Sequence, residues 1–348
     1  MKNFRKVLIA LVIIVSILSL VACNKNTSET NDFEYWNDCE SLTSLKTYVQ
    51  DVTNKNSSNY IPECDRIAVF DMDGTLYAEL NPTYFEYLLF AHRCLDDPSY
   101  TAADADMIET ANIIREAVGV SDYPSDMAMR HAIGQAKAFA GMTISEFEAY
   151  VIDFAKTNAS GFVNMTYATA FYLPMLEVVA YLQNNGFTTY IVSGSDRFIC
   201  RAAASDACNI PYNQIIGMDV KLVATEQGSG DGLDYQFKAT DGVRRTDTVL
   251  IKNLKMNKVA QIVQEIGKQP VLSFGNSSGD LSMHQYTINN NKYKAEAYML
   301  IANDETRDYG NIVKATQLGE QWTQYGFHII SMKDDFKTIY GYDVKKTN

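Results

Sequence analysis

The chain has 348 residues, of which 47% are hydrophobic, enough for one large core or for a core with a smaller second domain. The formal net charge is −12 at pH 7, which argues against a nucleic-acid partner because little positive charge is available to neutralise backbone phosphates. The chain has no Cys-x-x-Cys pair and only four His, so a zinc site is not expected.

The first residues have the pattern of a signal peptide. Lys2, Arg5 and Lys6 form a positive segment, and residues 7–20 form an apolar core. A Cys follows directly, and a polar run comes after it. This pattern resembles a bacterial lipoprotein signal, which implies cleavage before Cys23 and a diacylglycerol group on its thiol.

Two other interpretations of residues 1–22 remain open, an uncleaved transmembrane anchor and an ordinary secretory signal. The apolar run is short for a membrane-spanning helix, which needs ~20 residues. All three interpretations place the rest of the protein outside the cytoplasm, and lipidation would anchor it to a bacterial membrane. Residues 23–60 are predicted to be a tether and N-terminal extension with a short helix around residues 42–52.

An oxidising compartment permits disulfides among the cysteines that remain after Cys23. Their odd number leaves at least one thiol free. Cys39 with Cys64 is one plausible pair, and Cys200 with Cys208 is another. Alternatively, the second pair faces the interior of a helix as free thiols.

From residue 61 onward, strand patterns alternate with helical patterns, which is typical of an α/β fold with a mostly parallel sheet. The predicted strands are residues 66–70, 188–192, 271–274, 298–302 and 328–331. Helices are predicted at residues 174–185, with a Pro in the first turn, and at residues 258–266.

Residues 80–173 interrupt this alternation, because their pattern is helical and lacks clear strands. We predict a helical cap inserted between two parts of one core domain, residues 61–79 and 174–348. A second interruption covers residues 218–250, where apolar and polar residues alternate on both sides of a glycine-rich turn. It predicts an inserted β-hairpin with strands at about 220–224 and 235–239.

Two carboxylates follow the first predicted strand. Asp71 and Asp73 stand one residue apart, and Gly74 then breaks the strand. Neighbouring acids repel each other and gain nothing unless a cation or a reaction uses them. The segment Asp-Met-Asp-Gly-Thr closely resembles the first motif of the haloacid-dehalogenase-like (HAD) superfamily. The resemblance implies a Rossmann-like parallel sheet core and, in most members, phosphatase activity through an aspartyl-phosphate.

The second predicted strand ends in Ser193 and Gly194, and a helix follows. A hydroxyl and free backbone N–H groups at such a position can hold phosphate oxygens, and the helix N-terminus adds partial positive charge. This segment matches the second HAD motif. The third motif needs a lysine, for which Lys255 is preferred because it stands just before a helix. Lys252 and Lys258 remain alternatives.

The fourth motif follows the third predicted strand. HAD members usually carry two acids here, which implies a Mg²⁺ site. Asp280 fits the second position, but Asn276 stands at the first. An amide oxygen can still coordinate Mg²⁺, but without a full charge, so weaker metal binding is expected.

The resemblance assigns roles to these residues. Asp71 is the nucleophile, and Asp73 is the general acid and then the general base. Ser193, Gly194 and Lys255 would bind phosphate. The implied Mg²⁺ ligands are Asp71, Asp73 through its main-chain carbonyl, Asn276 and Asp280.

The helical insertion is similar to the cap of the phosphoserine-phosphatase-like branch, whose cap residues usually contact the leaving group. The candidates for that contact are Glu79, Tyr84, Arg93 and Arg130. We therefore predict a Mg²⁺-dependent phosphomonoesterase acting on a small phosphorylated molecule outside the cytoplasm. The alternatives are a non-catalytic HAD-fold lipoprotein that binds a phosphorylated ligand, favoured only by Asn276, and a phosphotransferase. The identity of the substrate and the oligomeric state stay open.

Overall fold

The computed structural model describes residues 33–79, 83–117 and 123–347. The predicted signal sequence and the lipidation of Cys23 lie outside these residues. No helix within the described ranges is both long enough and apolar enough to cross a membrane.

A seven-stranded sheet forms the centre of the fold. The strands are β1 (Ile67–Phe70), β2 (Phe162–Val163), β3 (Thr188–Asp196), β4 (Ile215–Ala224), β5 (Val243–Ile251), β6 (Leu272–Gly275), β7 (Glu296–Ile301), β8 (His328–Ser331) and β9 (Lys345–Lys346). The order across the sheet is β5-β4-β3-β1-β6-β7-β8, and only the β4–β5 pair is antiparallel. Strands β2 and β9 form a separate antiparallel pair. The predicted α/β fold with a mostly parallel sheet is confirmed.

Helices cover the sheet and form most of the insertion. They are α1 (Glu40–Thr53), α2 (Phe85–Leu95), α3 (Ala105–Glu116), α4 (Met127–Ala138), α5 (Ile144–Ala155), α6 (Leu173–Asn184), α7 (Arg197–Cys208), α8 (Met256–Gln261), α9 (Leu281–Ile288) and α10 (Ile312–Gln324). Helix α8 continues as a π-helical turn, Ile262–Ile266, and ends at Gly267, whose φ is +69°. Helices α2 to α5 all lie within the predicted 80–173 insertion, and we call these four helices the helical insertion.

Strand β1 occupies the middle of the sheet, and all four of its residues are buried. Strands buried on both faces consist of continuous apolar runs, and β1 has this composition. Phe70 pairs in register with Ile191 of β3 and Phe274 of β6, and the Phe70 ring stacks on the Phe274 ring at 4.4 Å. The carboxyl ends of β1, β3 and β6 therefore lie side by side, and the residues that follow them meet at one edge.

The N-terminal extension contains the predicted helix, and α1 packs against the core. The Tyr48 hydroxyl donates to the main-chain carbonyls of Val271 and Lys294, at 3.1 and 2.9 Å. The Trp36 indole N–H donates to the carbonyl of Pro174 at 2.8 Å. From Tyr35 onward this extension belongs to the compact body of the protein.

The inserted hairpin exists, but its return strand is β5 rather than the predicted residues 235–239. Strand β5 places the Arg245 side chain in a buried ion pair and packs Val249 against buried Met218 and Val220. Residues 235–239 are mostly exposed and gain no such burial. The packing of β5 therefore determines which segment pairs with β4.

The cysteines described by the structure are all free thiols, so neither plausible disulfide forms. Cys200 and Cys208 lie eight positions apart in α7, a rise of about 12 Å along the helix axis. Bonded cysteines need Cα atoms within about 7 Å of each other. The alternative interpretation, two thiols facing the interior, describes their positions, since both are buried.

Candidate active site

The loops after β1 and β6, the end of β3 and the helical insertion together enclose a pocket of about 130 Å³. Open α/β sheets bind ligands at this carboxyl edge. The pocket is lined by Asp71, Asp73, Glu79, Tyr84, Glu86, Tyr87, Ala128, Gly194, Ser195, Lys252, Leu254, Lys258, Asn276, Ser277 and Asp280.

The predicted nucleophile is held by a buried lysine. The ammonium group of Lys258 donates to Asp71 Oδ1 and to Asp280 Oδ1, both at 2.6 Å. Burial and the neighbouring Asp280 raise the pKa of Asp71 to about 7, although Lys258 opposes this rise. Burial also acts to raise the pKa of Asp280, but the charge of Lys258, together with His284 and the hydrogen bonds from Lys258 and the Ser277 N–H, holds that pKa below its ordinary value. The lysine therefore keeps two adjacent carboxylates compatible with one another.

This lysine is not the preferred candidate, Lys255. Lys255 precedes α8 with a φ of +56°, its side chain is exposed, and it does not line the pocket. Lys258 lies one turn later, inside α8, and its buried side chain lies between Asp71 after β1 and Asp280 after β6. Lys252 also reaches the pocket wall. Both alternatives to Lys255 therefore lie at the site, and Lys258 contacts the predicted nucleophile.

Asp73 is the more strongly perturbed of the two motif acids. The Ser195 hydroxyl donates to Asp73 Oδ2 at 2.7 Å, whereas Asp73 Oδ1 is buried without a hydrogen-bond partner. Burial raises the pKa of Asp73 well above its ordinary value, and the Ser195 hydrogen bond only partly offsets this rise. A protonated Asp73 therefore has a proton to donate at the pocket, as a general acid requires.

The structure places Gly194 and Ser195 on the pocket wall, not Ser193. Ser193 is fully buried, and its hydroxyl oxygen accepts from the main-chain N–H of Ser195 at 3.1 Å. Strand β3 extends four residues beyond the predicted end at 192, and the serine that lines the pocket stands two positions further along the chain. Sequence reasoning missed Ser195, although it stands in the same Ser-Gly-Ser segment.

Asp280 has little capacity left for a cation. Its Oδ2 accepts from the main-chain N–H groups of Asn276 and Ser277, at 3.1 and 3.0 Å, and from the Ser277 hydroxyl at 3.2 Å. Its Oδ1 accepts from Lys258. These contacts make Asp280 the residue that shapes the fourth-motif loop and positions the lysine.

Asn276 reaches the pocket from the same loop and contacts Glu79. The Asn276 amide donates from Nδ2 to Glu79 Oε2, and the Tyr84 hydroxyl donates to Glu79 Oε1 at 2.6 Å. Burial raises the pKa of Glu79, and these two hydrogen bonds oppose the rise. Of the predicted leaving-group contacts, Glu79 and Tyr84 line the pocket. Arg93 and Arg130 instead form ion pairs elsewhere in the helical insertion.

A chain of buried charges, which sequence reasoning missed, links the helical insertion to the sheet. Glu86 in α2 accepts from the Lys252 ammonium and from the main-chain N–H of Asp196, both at 3.0 Å. His131 in α4 lies 3.6 Å from Glu86 Oε1, and burial lowers its pKa to about 4, which leaves it neutral at pH 7. Asp196 in turn forms a fully buried ion pair with Arg245 at 2.6 Å. Two helices of the insertion, α2 and α4, are thereby joined to the two strands β3 and β5.

The donor set at this edge suits a hard cation, because the pocket offers oxygen ligands from carboxylates and an amide. In the part of the chain that the structure describes, no three carboxylate, His or Cys side chains converge on one point. A cation here would therefore be held by Asp71, the Asn276 amide oxygen, the main-chain carbonyl of Asp73 and oxygens from substrate or water. The pocket has more carboxylates than lysines, so a bound cation would balance part of its negative charge.

No curated protein matches the chain in sequence. Similar solved structures include a functionally unknown protein from Anaerococcus prevotii DSM 20548, at 14% identity and a TM-score of 0.49, covering 89% of this chain and 99% of that one. A phosphoserine phosphohydrolase-like protein from Francisella tularensis subsp. tularensis SCHU S4 is similar at 14% identity and a TM-score of 0.41, covering 76% of this chain and 94% of that one. Cytosolic 5'-nucleotidase IIIB bound to cytidine is similar at 13% identity and a TM-score of 0.45, covering 82% and 83%.

The family model described as haloacid dehalogenase-like hydrolase matches residues 68–285, well over half of the chain. That span begins inside β1 and ends inside α9, so it includes Asp71, Lys258 and Asp280. The chain belongs to the haloacid dehalogenase-like hydrolase family.

Proposed function

We propose that this protein is a Mg²⁺-dependent phosphomonoesterase that hydrolyses a small phosphorylated molecule through an aspartyl-phosphate. The observation that carries the proposal is the pair formed by Asp71 and Asp73. Lys258 holds the first at 2.6 Å, and the second presents a buried oxygen without a partner. A nucleophile beside a proton donor is what ester cleavage requires.

The reaction follows from these two side chains. A carboxylate oxygen of Asp71 attacks phosphorus, the ester P–O bond breaks, and the leaving oxygen takes the proton of Asp73. A water molecule then attacks the phosphorus of the aspartyl-phosphate and gives its proton to Asp73. The bond between Asp71 and phosphorus breaks, so that phosphate is released and the Asp71 carboxylate is restored. A bound Mg²⁺ supplies electrostatic screening between the phosphate and the carboxylates.

The remaining pocket residues support the transferring group. Lys258 and Gly194 line the pocket in which negative charge would develop. A pocket of about 130 Å³ suits a phosphoryl group with a small leaving group. The helical insertion, by analogy with the phosphoserine-phosphatase-like branch, would act as a cap over this pocket.

The location of the protein is part of the same proposal. The signal pattern of residues 1–22 and the position of Cys23 support a lipid anchor on an extracytoplasmic face of a bacterial membrane. The partners would then be the phosphorylated substrate and the membrane, without nucleic acid.

The test is a phosphate-release screen over a panel of phosphorylated metabolites, with Mg²⁺ and then with EDTA. We expect at least one substrate to be turned over with Mg²⁺, and Asp71→Asn to abolish that turnover while the melting temperature stays close to wild type. Activity of Asp71→Asn within about tenfold of wild type would refute the covalent route. Ligand binding without turnover by the wild type would favour the non-catalytic alternative, and phosphate transfer to an added alcohol would favour the phosphotransferase.

A further inference from the structure

Glu79 is a half-buried carboxylate whose hydrogen-bond partners in the pocket are uncharged. Most of the other pocket carboxylates have a cation beside them. Glu86 pairs with Lys252, and Lys258 contacts both Asp71 and Asp280. Glu79 instead accepts one hydrogen bond from a phenol, Tyr84, and one from an amide, Asn276. A carboxylate partly withdrawn from water and held only by neutral donors is stabilised when a cation is added nearby.

The loop after β1 is shaped to let Glu79 meet Asn276, a residue 197 positions away. Gly74 has a φ of +77°, and a Cβ atom built on it would lie 1.9 Å from both Glu79 Oε2 and Asn276 Nδ2. The contact therefore passes directly over the α-carbon of Gly74. Any side chain at residue 74 would separate the two groups as well as strain the backbone.

This contact sets the orientation of the Asn276 amide. Because Nδ2 donates to Glu79, the amide oxygen Oδ1 is directed away from Glu79 and accepts a long hydrogen bond from the Thr75 hydroxyl, at 3.5 Å. A carboxylate that accepts from the far side of a ligand makes the ligand atom more basic and fixes its direction. Glu79 thus places a negative charge directly behind the one amide in the predicted ligand set.

We propose that Glu79 supplies, through Asn276, the negative charge that an acid at residue 276 would otherwise bring to the bound cation. The inference rests on the proposed function only in that a divalent cation binds at this pocket. Residues 79 and 276 then act as one unit, in which the amide contacts the cation and the carboxylate provides the charge. Glu79 is a positioning residue for the metal rather than a contact to the leaving group.

Calorimetric titration with Mg²⁺ alone, without substrate, tests this charge count. Glu79→Gln removes one negative charge and should weaken Mg²⁺ binding about 10–100-fold, as loss of an outer carboxylate typically does. Asn276→Asp adds one negative charge and should bind Mg²⁺ more tightly than wild type. The double variant, Glu79→Gln with Asn276→Asp, has the wild-type charge and should return to within roughly threefold of wild-type affinity.

Asp153→Asn is the matched control, because it changes the net charge equally at a side chain that is 83% exposed and outside the pocket. Its Mg²⁺ affinity should equal that of wild type. Unchanged Mg²⁺ affinity in Glu79→Gln, with only KM raised, would assign Glu79 to the leaving group and overturn the inference. A double variant no better than Glu79→Gln would also overturn it.

Two further outcomes keep this test separate from the proposed function. If Glu79→Gln does not fold, Asn276→Asp carries the test alone, and an unchanged Mg²⁺ affinity in that variant would overturn the inference. Reciprocal rescue of Mg²⁺ binding in a protein that hydrolyses no phosphate ester would support the inference while refuting the phosphomonoesterase.

Discussion

Replacing Lys258 by Met removes the cation from a buried group of three charges. The lysine side chain is 1% exposed and lies 2.6 Å from a carboxylate oxygen of both Asp71 and Asp280. Removing one partner of a buried ion pair costs about 3–5 kcal/mol, because the remaining charge stays buried without compensation. At about 2 °C per kcal/mol for a chain of this size, the melting temperature should fall by roughly 6–10 °C at pH 8.

The loss of stability in Lys258→Met should shrink as the pH falls. In the wild type Lys258 holds the pKa of Asp280 below its ordinary value. The Lys258–Asp280 ion pair therefore stabilises the fold at every pH above the ordinary pKa of an Asp carboxyl. Without the lysine, burial and mutual repulsion raise the pKa of both Asp280 and Asp71. The folded variant then binds more protons than the unfolded chain, so its stability rises as the pH drops from 8 towards the ordinary carboxylate range. The difference from wild type should be clearly smaller at pH 5 than at pH 8.

Scanning calorimetry at both pH values measures this difference, and Lys255→Met provides the matched control. Lys255 is exposed and outside the pocket, so its substitution should change stability by less than about 0.5 kcal/mol and leave activity unaltered. Equal losses in the two variants, or a loss in Lys258→Met that does not depend on pH, would show that Lys258 is not bound between the two carboxylates.

Three other substitutions test the remaining chemistry. Asp73→Asn should slow the hydrolysis of alkyl phosphates more than that of aryl phosphates, because an alkoxide is the poorer leaving group and depends more on protonation. Equal slowing in a paired kinetic assay would rule out Asp73 as the general acid. Ser195→Ala removes a hydrogen bond that lowers the pKa of Asp73, so the pKa of Asp73 should rise. The basic limb of the pH profile of kcat/KM should then move to higher pH, and a shift to lower pH would contradict Asp73 as the proton donor. Cys23→Ala should block processing of the signal sequence, and mass spectrometry of the membrane-extracted wild type should find a diacylglyceryl group on Cys23. Recovery of wild-type protein that still carries residues 1–20 would instead favour a transmembrane anchor.

The centre of the parallel sheet could be predicted from the sequence because β1 and β6 are buried on both faces. Such strands are mostly continuous apolar runs, and the predicted strands at 66–70 and 271–274 lie within one residue of β1 and β6. The return strand of the hairpin could not be predicted in the same way. Residues 235–239 and 243–251 both alternate in polarity, and what distinguishes them is tertiary: the buried Arg245–Asp196 ion pair and the packing of Val249 against Met218 and Val220.

The positions of Asp71 and Asp73 in the site could be predicted because both residues directly follow the end of one strand. The position of the lysine could not, because it depends on the residue at which helix α8 begins. Lys255 and Lys258 lie one turn apart, and the start of α8 at Met256 directs the second of them into the pocket. The contact between Glu79 and Asn276 joins distant parts of the chain, and its one sequence signal is an amide at a position where the family usually has an acid.

The charge chain through Glu86 has a kinetic consequence for how the pocket opens. If the helical insertion swings aside to admit substrate, Glu86 must leave both the Lys252 ammonium and the main-chain N–H of Asp196. Hydrogen bonds to charged groups contribute about 1.5–3 kcal/mol each, so the closed form would dominate and opening would be an infrequent event. An aspartyl-phosphate formed at Asp71 would then meet only the water molecules enclosed with it. The lifetime of the closed form, rather than any selective binding of an acceptor, would decide between hydrolysis and transfer to another alcohol.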